Sequence, residues 1–439
     1  MTFFRSKWLK WVRLPLEREA NNATRNALPL DLEAAFNADT PPSADPLRLF
    51  VVAGDASGDT HAAHVVQALR RLHPNLTVEA VGGDALAAAG AKLLASPTFT
   101  GQVGLWGPLR TLPHHIGLAW HIKQHLKGYQ PHGVLLVDYG GFNLRLAAML
   151  NQRVFYFIPP QVWASREKRI LTLKNDVEHV FGILPFEAPL YERYNVPYTY
   201  VGHPLIHQLP PKANRETLCQ QLKLDPTQPI GLLLPGSRSM EVDYLLDPLL
   251  QAAKRVTVYH ADRTGQQLQW VLAKADTFVP PSPKAAKFSS QLADACALAG
   301  LDKRNLRVIS GQTHALLSVA DVAMGASGTV TLEAALYGTP MVVAYKAHPI
   351  VAAIARRVIQ VPFLALPNLL HQGDYPIFPE FLQDAVDPEA MAEAVLAFVD
   401  KTSVASVRAH GAMKSFTPLL DQGDAATNVA KGLLALLAH

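Results

Sequence analysis

The sequence predicts an α/β fold with two doubly wound parallel sheets, each in its own domain. Three observations indicate this fold. The chain has 439 residues, which is more than a single hydrophobic core usually accommodates. Short apolar runs end in Gly-rich turns and alternate with helix-like segments, a pattern typical of β-α-β units. The alternation occurs in both halves of the chain, although the sequence contains no internal repeat.

The predicted first domain covers residues 48–205 and begins with an apolar strand from Leu47. This strand ends in the turn from Gly54 to Asp59, and a helix follows at 60–72. The near-continuous apolar run GVLLV ends at Asp138. Further short strands are predicted at 77–81, 154–158, 179–184 and 198–201. Ligands of such sheets bind at the carboxyl ends of the strands, and four polar residues fall there. They are Asp55, Ser57, Asp59 and Asp138.

The predicted second domain covers residues 206–365 and begins after Gly202-His203-Pro204. Its first strand, 230–234, runs directly into the turn Pro235-Gly236-Ser237-Arg238. Further strands are predicted at 269–273, 307–309 and 341–345. The remaining residues, 366–439, read as C-terminal loops and helices, with a periodic apolar helix at 388–399.

The segment 324–345, MGASGTVTLEAALYGTPMVVAY, carries the strongest local signal for anion binding. A turn of small residues, from Gly325 to Thr329, opens directly onto a helix. Unpaired N–H groups at a helix start suit a phosphate, and small residues permit its close approach. Glu333 follows one turn later, where its carboxylate suits the hydroxyls of a ribose. An ordinary N-capped helix explains the same pattern.

Two further residues have both a chemical and a structural interpretation. Arg238 offers a fork of donors to phosphate, or it caps the helix that follows. Asp138 is placed to accept a proton from an attacking hydroxyl, or to cap the helix after it. The sequence contains no Asp-x-Asp pair, and His121 and His125 read as a solvated helix face. We therefore expect no metal site and no cofactor.

Composition excludes several classes of protein. The net charge is only +4, which is too small to indicate nucleic-acid binding. Cys219 and Cys296 form no disulfide or metal pattern, which favours a reducing compartment. No uninterrupted apolar run approaches about 18 residues, so no membrane-spanning helix is expected.

Two segments have the composition of a membrane-contacting surface. In the N-terminal segment and linker, residues 1–47, Trp8 and Trp11 repeat at helical spacing among Lys and Arg residues. A floppy basic tail is the alternative. The apolar stretch GQVGLWGPLRTLPHHIGLAW contains Trp106 and Arg110, and it reads either as core or as a lipid-facing flap.

The motifs, taken in order from about residue 50 to 383, resemble those of the lipid-A-disaccharide synthase family. VAGDASGD looks like the family's VAGExSGD, and IPPQVWASREKR looks like its SPSVWAWRxKR. ILPFEAPLYERYNVP is similar to LPFExxFYxxxxVP. VGHPL, LLPGSR, ASGTVTLEAAL and LPNLL match nearly letter for letter.

The resemblance implies a fold and a reaction. The family has the GT-B fold, with two Rossmann-like domains that face a central cleft and C-terminal helices that pack back. It moves an acylated glucosamine from a UDP-diacylglucosamine donor to an acylated glucosamine 1-phosphate acceptor. The resemblance also implies a homodimer that is attached peripherally to the inner face of the bacterial inner membrane. We therefore expect both lipids and a membrane surface as partners, and no nucleic acid.

The resemblance also implies roles for individual residues. Asp138 matches the proposed base, and Arg238 matches the essential Arg near the nucleotide phosphates. Ser327, Gly328 and Thr329 match the diphosphate turn, Glu333 the nucleotide-contacting acid, and Asn368 another UDP-site motif. The residues implied for the acceptor sugar are Asp55, Ser57, Gly58, Asp59 and Asn143.

The departures from the family pattern cluster in the first half. The family's DAPDFN is here DYGGFN, so its second Asp is replaced by Gly141. Its MGLxEVL is here VGLWGPL, so its Glu is replaced by Gly107, and Ser165 replaces a Trp. We expect UDP-sugar binding to be retained, with altered acceptor or acyl specificity. Three alternatives stay open: a related UDP-sugar-dependent lipid glycosyltransferase, a UDP-GlcNAc 2-epimerase, and an inactive paralogue that binds UDP-sugar or lipid.

Overall fold

The structure, a computed structural model, describes residues 46–96, 107–165, 167–301, 306–371, 373 and 375–438. For residues 107–113 it describes only the backbone. Trp8, Trp11 and Trp106 therefore lie outside the described residues. Arg110 lies on a described helix, but its side chain does not belong to the description.

The described chain divides into two compact units. The first contains the residues up to His207, together with Val358–Val361 and the residues from Leu420 onward. The second contains Gln208–Arg357 and Pro362–Leu419. We expected one C-terminal segment from residue 366, whereas here most of it groups with the second unit and only its end with the first.

A parallel seven-stranded sheet forms the centre of the first unit. Its strand order is β3-β2-β1-β4-β5-β6-β7. The strands are β1 (Leu47–Ala53), β2 (Leu76–Val81), β3 (Lys92–Ala95), β4 (Gly133–Val137), β5 (Val154–Phe157), β6 (His179–Gly182) and β7 (Tyr198–Tyr200). The central strand β4 is buried along its whole length. Its continuous apolar sequence follows from coverage on both faces, as in parallel sheets generally.

Helices connect these strands. They are α1 (Ala56–Leu72), α2 (Asp84–Ala88), α3 (Gly107–Tyr129), α4 (Gly140–Ala147), α5 (Val162–Ser165), α6 (Ile170–Asp176), α7 (Ala188–Arg193) and α8 (Leu205–Gln208). Helix α1 begins four residues before the predicted 60–72 helix. The reason is that Asp55 caps it, so Ser57 and Gly58 lie within its first turn.

A parallel six-stranded sheet forms the centre of the second unit, in the order β10-β9-β8-β11-β12-β13. The strands are β8 (Ile230–Leu234), β9 (Gln269–Lys274), β10 (Leu306–Ser310), β11 (Val322–Ala326), β12 (Met341–Tyr345) and β13 (Glu380–Leu382). The predicted doubly wound architecture is confirmed in both units. The sequence did not predict β3, β11 and β13. The edge strands β3 and β13 have no fully buried residue. Strand β11 is buried, but it ends in the small residues Gly325 and Ala326, which the sequence analysis assigned to a turn.

The helices that follow in the chain are α9 (Arg215–Leu222), α10 (Ser239–Thr264), α11 (Lys284–Ala299), α12 (Thr313–Val319), α13 (Thr329–Tyr337), α14 (Pro349–Val358), α15 (Leu366–His371), α16 (Pro388–Val399), α17 (Val404–Met413) and α18 (Phe416–Leu420). Helix α16 begins as its sequence predicts, with Asp387 as N-cap and Pro388 in the first turn. It packs against the long helix α10.

The last helix, α19 (Ala425–Leu437), returns to the first unit and packs against α1. Its Val429 and Leu433 are fully buried with Leu49, Val51 and other residues of the first sheet. The predicted packing of a C-terminal helix back onto the first sheet is confirmed. Of the helices within the described ranges, none combines the length and apolarity needed to cross a membrane.

Candidate active site

The strand order of each sheet reverses at one point, and ligands of doubly wound folds bind there. In the first unit this point lies between β1 and β4, which pair in parallel with Ala53 opposite Val137. The turns that follow these two strands are therefore adjacent. They carry Asp55 and Asp138, the two carboxylates that the sequence places at strand ends.

The Asp55 turn is a capped helix start. Oδ1 of Asp55 accepts a hydrogen bond from the N–H of Gly58 at 2.6 Å. Ser57 is exposed, whereas Gly58 and Asp59 are buried. The exposed Ser57 hydroxyl is thus the accessible polar group of this turn, beside the half-buried Asp55 carboxylate.

Asp138 lies in a turn with unusual backbone geometry. Asp138 and Tyr139 have φ of 49° and 52°, the left-handed region that residues other than glycine rarely adopt. Oδ1 of Asp138 accepts the N–H of Tyr139 at 2.8 Å. The Asp138 carbonyl accepts the hydroxyl of Tyr156 at 2.7 Å and the side-chain amide of Asn143 at 2.9 Å. These bonds fix the turn, and no side chain caps the helix that follows, so the alternative capping role of Asp138 is wrong.

The environment of Asp138 changes its acidity. Burial, and secondarily the charge of Asp55, raise the pKa of Asp138 to about 6, although the N–H of Tyr139 opposes the shift. A carboxylate with this pKa is largely ionised at neutral pH and is a stronger base than an ordinary aspartate. This is the range in which general bases operate.

Tyr139 links this turn to helix α3. Its hydroxyl lies 2.6 Å from Nε2 of His115. Its ring fills the space beside Gly54, where any Cβ would lie 1.9 Å from a ring carbon, so position 54 requires glycine. The sequence did not single out His115, because its partner is 24 residues away.

Two residues expected at the acceptor sugar hold the backbone instead of facing solvent. Asn143 is fully buried, and its amide donates to the carbonyls of Val137 and Asp138. Both carboxylate oxygens of Asp59 accept backbone N–H groups, from Gly83 at 2.6 Å and Ala85 at 3.0 Å. Any role of these two residues in sugar binding is therefore indirect, through the shape of the turns.

Two histidines at the same edge of the sheet were missed. Burial, and then His64, lower the pKa of His61 to about 4, while the nearby Asp55 opposes this shift. Burial, and then His61, lower the pKa of His203 to about 4. Both are thus neutral at pH 7. His203 lies in the motif VGHPL, and this position in a family motif was the sequence signal that could have identified it.

In the second unit, the order reverses between β8 and β11, which pair with Leu234 opposite Gly325. Arg238 follows β8 as the N-cap residue of α10. Its side chain is 61% exposed, and its Nη1 contacts Oε1 of Glu241 at 2.9 Å. Oε2 of Glu241 accepts the N–H groups of Ser237 and Arg238, so Glu241 fixes the turn and leaves most of the guanidinium accessible.

The turn after β11 has a different helix start. Gly328 is the N-cap residue of α13, and no side chain caps this helix. Gly328 and Thr329 are exposed, and Ser327 is partly so. A Cβ on Gly328 would contact nothing within 4 Å. An uncapped, open helix start next to an exposed arginine is suited to an anionic group.

Glu333 lies one turn into α13, as the sequence predicts. Its Oε2 lies 3.2 Å from Nε2 of His314, and the side chain is 14% exposed. The second oxygen, Oε1, is the part of this carboxylate that remains for a ligand.

Asn368 makes structural bonds. It is buried, and its amide donates to the carbonyl of Phe378 and to Oε1 of Glu380, each at 2.7 Å. Its Oδ1 accepts the N–H of Phe378 at 2.9 Å. The LPNLL motif therefore connects α15 to the edge strand β13, and the expected UDP contact of Asn368 stays a prediction.

Two further motifs meet in the core of the first unit. Nε1 of Trp163, from PQVWAS, donates to Oε1 of Glu187, from LPFE, at 2.7 Å. Burial raises the pKa of Glu187 to about 7, against the bonds from Trp163 and Tyr198. Both residues are buried, so these motifs stabilise the scaffold of the first unit.

Elsewhere, His125 contacts Glu79, so the expectation of a wholly solvated histidine face is wrong for that residue. The described part of the chain contains no group of three or more His, Cys, Asp or Glu side chains arranged to hold a metal ion.

Comparison with known proteins identifies one family over most of the chain. The family model for lipid-A-disaccharide synthetase matches residues 49–430. The lipid-A-disaccharide synthase of Coxiella burnetii is 33% identical over 386 residues, covering 87% of this chain and 96% of the relative. Lipid-A-disaccharide synthase 1 of Legionella pneumophila is 37% identical over 342 residues, covering 76% and 84%.

Solved structures share the fold at low sequence identity. A putative UDP-N-acetylglucosamine 2-epimerase from Listeria monocytogenes aligns with a TM-score of 0.58 at 13% identity, covering 87% of this chain and 94% of that one. A sucrose-phosphate synthase from Thermosynechococcus elongatus aligns with a TM-score of 0.53 at 14% identity, covering 89% and 99%. These similarities concern the two-sheet architecture alone.

Proposed function

Because the chain belongs to the lipid-A-disaccharide synthetase family, we propose that it makes the lipid A disaccharide. In this reaction the acylated glucosamine of a UDP-diacylglucosamine donor is transferred to an acylated glucosamine 1-phosphate acceptor, and UDP is released. The observation that carries the proposal is the pair of switch points, the places where the strand order of each sheet reverses. Both lie within the residues that the family model matches. One presents a basic carboxylate, Asp138, and the other presents an anion-suited turn with Arg238.

In the proposed mechanism, the Asp138 carboxylate accepts the proton of the acceptor hydroxyl as that hydroxyl attacks the anomeric carbon. Attack from the side opposite to UDP inverts the configuration at this carbon. The raised pKa of Asp138 supports this role, because it matches the base to neutral pH. Ser57 and Asp55 lie on the adjacent turn and are assigned to the acceptor sugar, while Gly58, Asp59 and Asn143 shape that edge.

The leaving UDP acquires negative charge, which the second unit is suited to stabilise. We assign its diphosphate to Arg238, to Ser327 and to the uncapped helix start at Gly328 and Thr329. The carboxylate of Glu333 is assigned to the ribose. Preorganised donors of this kind provide the stabilisation that a metal ion provides in other transferases, so the proposed reaction is metal-independent.

We further propose that the enzyme is a homodimer attached peripherally to the inner face of the bacterial inner membrane. Helix α3 supports the attachment, because Ile116 and Trp120 are each 59% exposed and lie one turn apart. Lys127 follows on the same helix. Exposed Trp and Ile beside Lys are typical of a membrane interface. The N-terminal segment with Trp8 and Trp11, and the stretch with Trp106 and Arg110, are assigned to the same role.

The test is product analysis with the purified full-length chain. We expect incubation with both lipid substrates to yield a disaccharide lipid and an equal amount of UDP, detected by mass spectrometry, without added metal and in the presence of a chelator. An isomerised nucleotide sugar would instead establish a 2-epimerase. Binding of UDP-sugar without any product would establish the inactive paralogue.

A further inference from the structure

The two glycines at the start of α4 differ in what the structure requires of them. A Cβ on Gly140 would lie 2.5 Å from Pro160, so this position must be glycine. A Cβ on Gly141 would meet nothing within 4 Å, and the residue is exposed. Packing therefore does not explain Gly141, although it stands where the family's motif has an aspartate. The replacement of this aspartate by glycine removes a negative charge from an open space at the start of α4.

That missing charge concerns Arg145, four residues further along the same helix. Residues at i and i+4 are neighbours on a helix surface, so an Asp at 141 would form an ion pair with Arg145. With glycine there, the exposed Arg145 guanidinium has no carboxylate partner among the described residues. The cation is thus available to an anionic ligand.

His115 and Tyr139 border the same helix start. The His115 ring lies 5.6 Å from the ring of Phe142, and its Nε2 lies 2.6 Å from the Tyr139 hydroxyl. Burial lowers the pKa of His115, and His114 and Arg145 lower it further. Phe142, which contacts the His115 ring, lies three residues before Arg145 on α4, so Arg145 is a helix neighbour of this contact. If Nε2 of His115 carries the proton, it donates to the Tyr139 oxygen, and the Tyr139 O–H is available. If Nδ1 carries the proton, the Tyr139 O–H donates to Nε2, and the Nδ1–H is available. The pair therefore offers one donor to a ligand oxygen.

We propose that Arg145, His115 and Tyr139 form a subsite for the phosphate group of the acceptor, in the space that Gly141 leaves open. This inference rests on the proposed function and names the part of the acceptor that determines its recognition. Tyr139 directly follows Asp138 in the chain, so a sugar whose hydroxyl approaches the base lies next to these donors. The family's acceptor also carries this phosphate, and loss of the family's aspartate makes the corner more positive, so the phosphate should contribute more to acceptor binding here.

The decisive variant is Gly141→Asp, with Gly141→Asn as a control of the same size without the charge. Both side chains fit the open space, and Asp in the first turn of a helix is favourable, so both variants should fold. Each is assayed in neutral detergent with two acceptors, the acylated glucosamine 1-phosphate and the same lipid without phosphate. Arg145→Gln tests the cation directly, and His121→Gln is a control on the exposed face of α3.

We expect Gly141→Asp and Arg145→Gln to raise the KM for the phosphorylated acceptor by about tenfold, which corresponds to one lost charge-assisted bond. The KM for the acceptor without phosphate and for the UDP donor should not change. His121→Gln should resemble the wild type, and Gly141→Asn, which fills part of the same space without a charge, should raise the KM for the phosphorylated acceptor less than Gly141→Asp does. An equal effect on both acceptors, or none, overturns the inference.

Equilibrium binding of the phosphorylated lipid to each variant, measured without turnover, separates this inference from the proposed function. Weaker binding to Gly141→Asp in a protein that makes no disaccharide supports the subsite and rejects the reaction. Normal turnover, together with unchanged binding of the phosphorylated lipid to Gly141→Asp, supports the reaction and refutes the subsite. A third measurement, co-sedimentation with phosphatidylglycerol vesicles, distinguishes the acceptor from a membrane headgroup. If Gly141→Asp weakens only vesicle binding, the subsite for the acceptor phosphate is refuted.

Discussion

The switch points of the two units have the same strand topology and opposite chemistry. In each sheet the first strand of the unit pairs with the fourth, and two turns emerge side by side. In the first unit these turns carry two carboxylates, with neutral histidines nearby. In the second unit they carry an exposed guanidinium and an uncapped helix start. Topology determines where the polar groups lie, and the turn residues determine their charge.

The helix starts illustrate the same difference. The side chain of Asp55 caps α1, so an anionic ligand would meet both a carboxylate and an occupied amide there. Glu241 caps α10, but through backbone amides that leave Arg238 accessible, and no side chain caps α13. The first edge is thus suited to accept a proton, and the second to hold the diphosphate of the nucleotide.

The largest expected effect comes from Asp138→Asn, which removes the basic group from the first edge. Asparagine tolerates the left-handed backbone of this position and can still accept the Tyr139 N–H, so the turn should persist. We expect kcat to fall by about 10²- to 10⁴-fold, the usual contribution of a general base. Turnover near that of the wild type would remove Asp138 from the mechanism.

Two controls accompany this variant. UDP affinity should be unchanged, because the nucleotide is assigned to the second unit. The free energy of unfolding at pH 8 should rise, since the folded state raises the pKa of Asp138 and therefore loses stability as pH rises from about 4 through 6. A fall in both quantities would mean that the variant damages the fold.

The next largest effect is expected from Arg238→Ala, which tests the second edge. The turn should be preserved, because Glu241 still accepts the N–H groups of residues 237 and 238. Loss of one donor to a developing charge costs about 2.7–4 kcal/mol of transition-state stabilisation, or about 10²- to 10³-fold in kcat. The kcat of Arg238→Lys should lie between those of Arg238→Ala and the wild type, because lysine keeps the charge but lacks the planar fork. Equal kcat values for Arg238→Ala and the wild type would contradict the assignment.

The sequence predicted most of the fold, because strands such as β4 and β8 are buried on both faces and are therefore continuous apolar runs. It also placed Asp138 and Arg238 correctly at strand ends. It did not predict the edge strands β3 and β13, which lack fully buried residues, or β11, whose last two residues it assigned to a turn. The residue types of the edge strands did not indicate a strand, because their side chains are only partly buried.

Long-range side-chain contacts were the other limit. The bond between His115 and Tyr139, and the three bonds of Asn368, join residues far apart in the chain. A motif match places such residues in the right region, but only the folded structure separates those that support the site from those that face it. Asn143 and Asp59 belong to the first group, and Ser57 to the second.

The smallest expected effect concerns the coupling between the two carboxylates of the first edge. Asp138 is active as a base only when ionised, so transfer should decline as the pH falls through about 6. Asp55→Asn keeps an oxygen for the Gly58 N–H but removes the charge that helps to raise the pKa of Asp138. The acidic limb of the profile of kcat against pH should therefore move to lower pH. Burial is the larger cause of the raised pKa and remains, so the gain in rate at pH 5 should be less than about tenfold. A limb that stays in place in Asp55→Asn, but disappears in Asp138→Asn, would mean that burial alone determines the acidity of the base. A limb unchanged in both variants would assign it to a group outside the first edge.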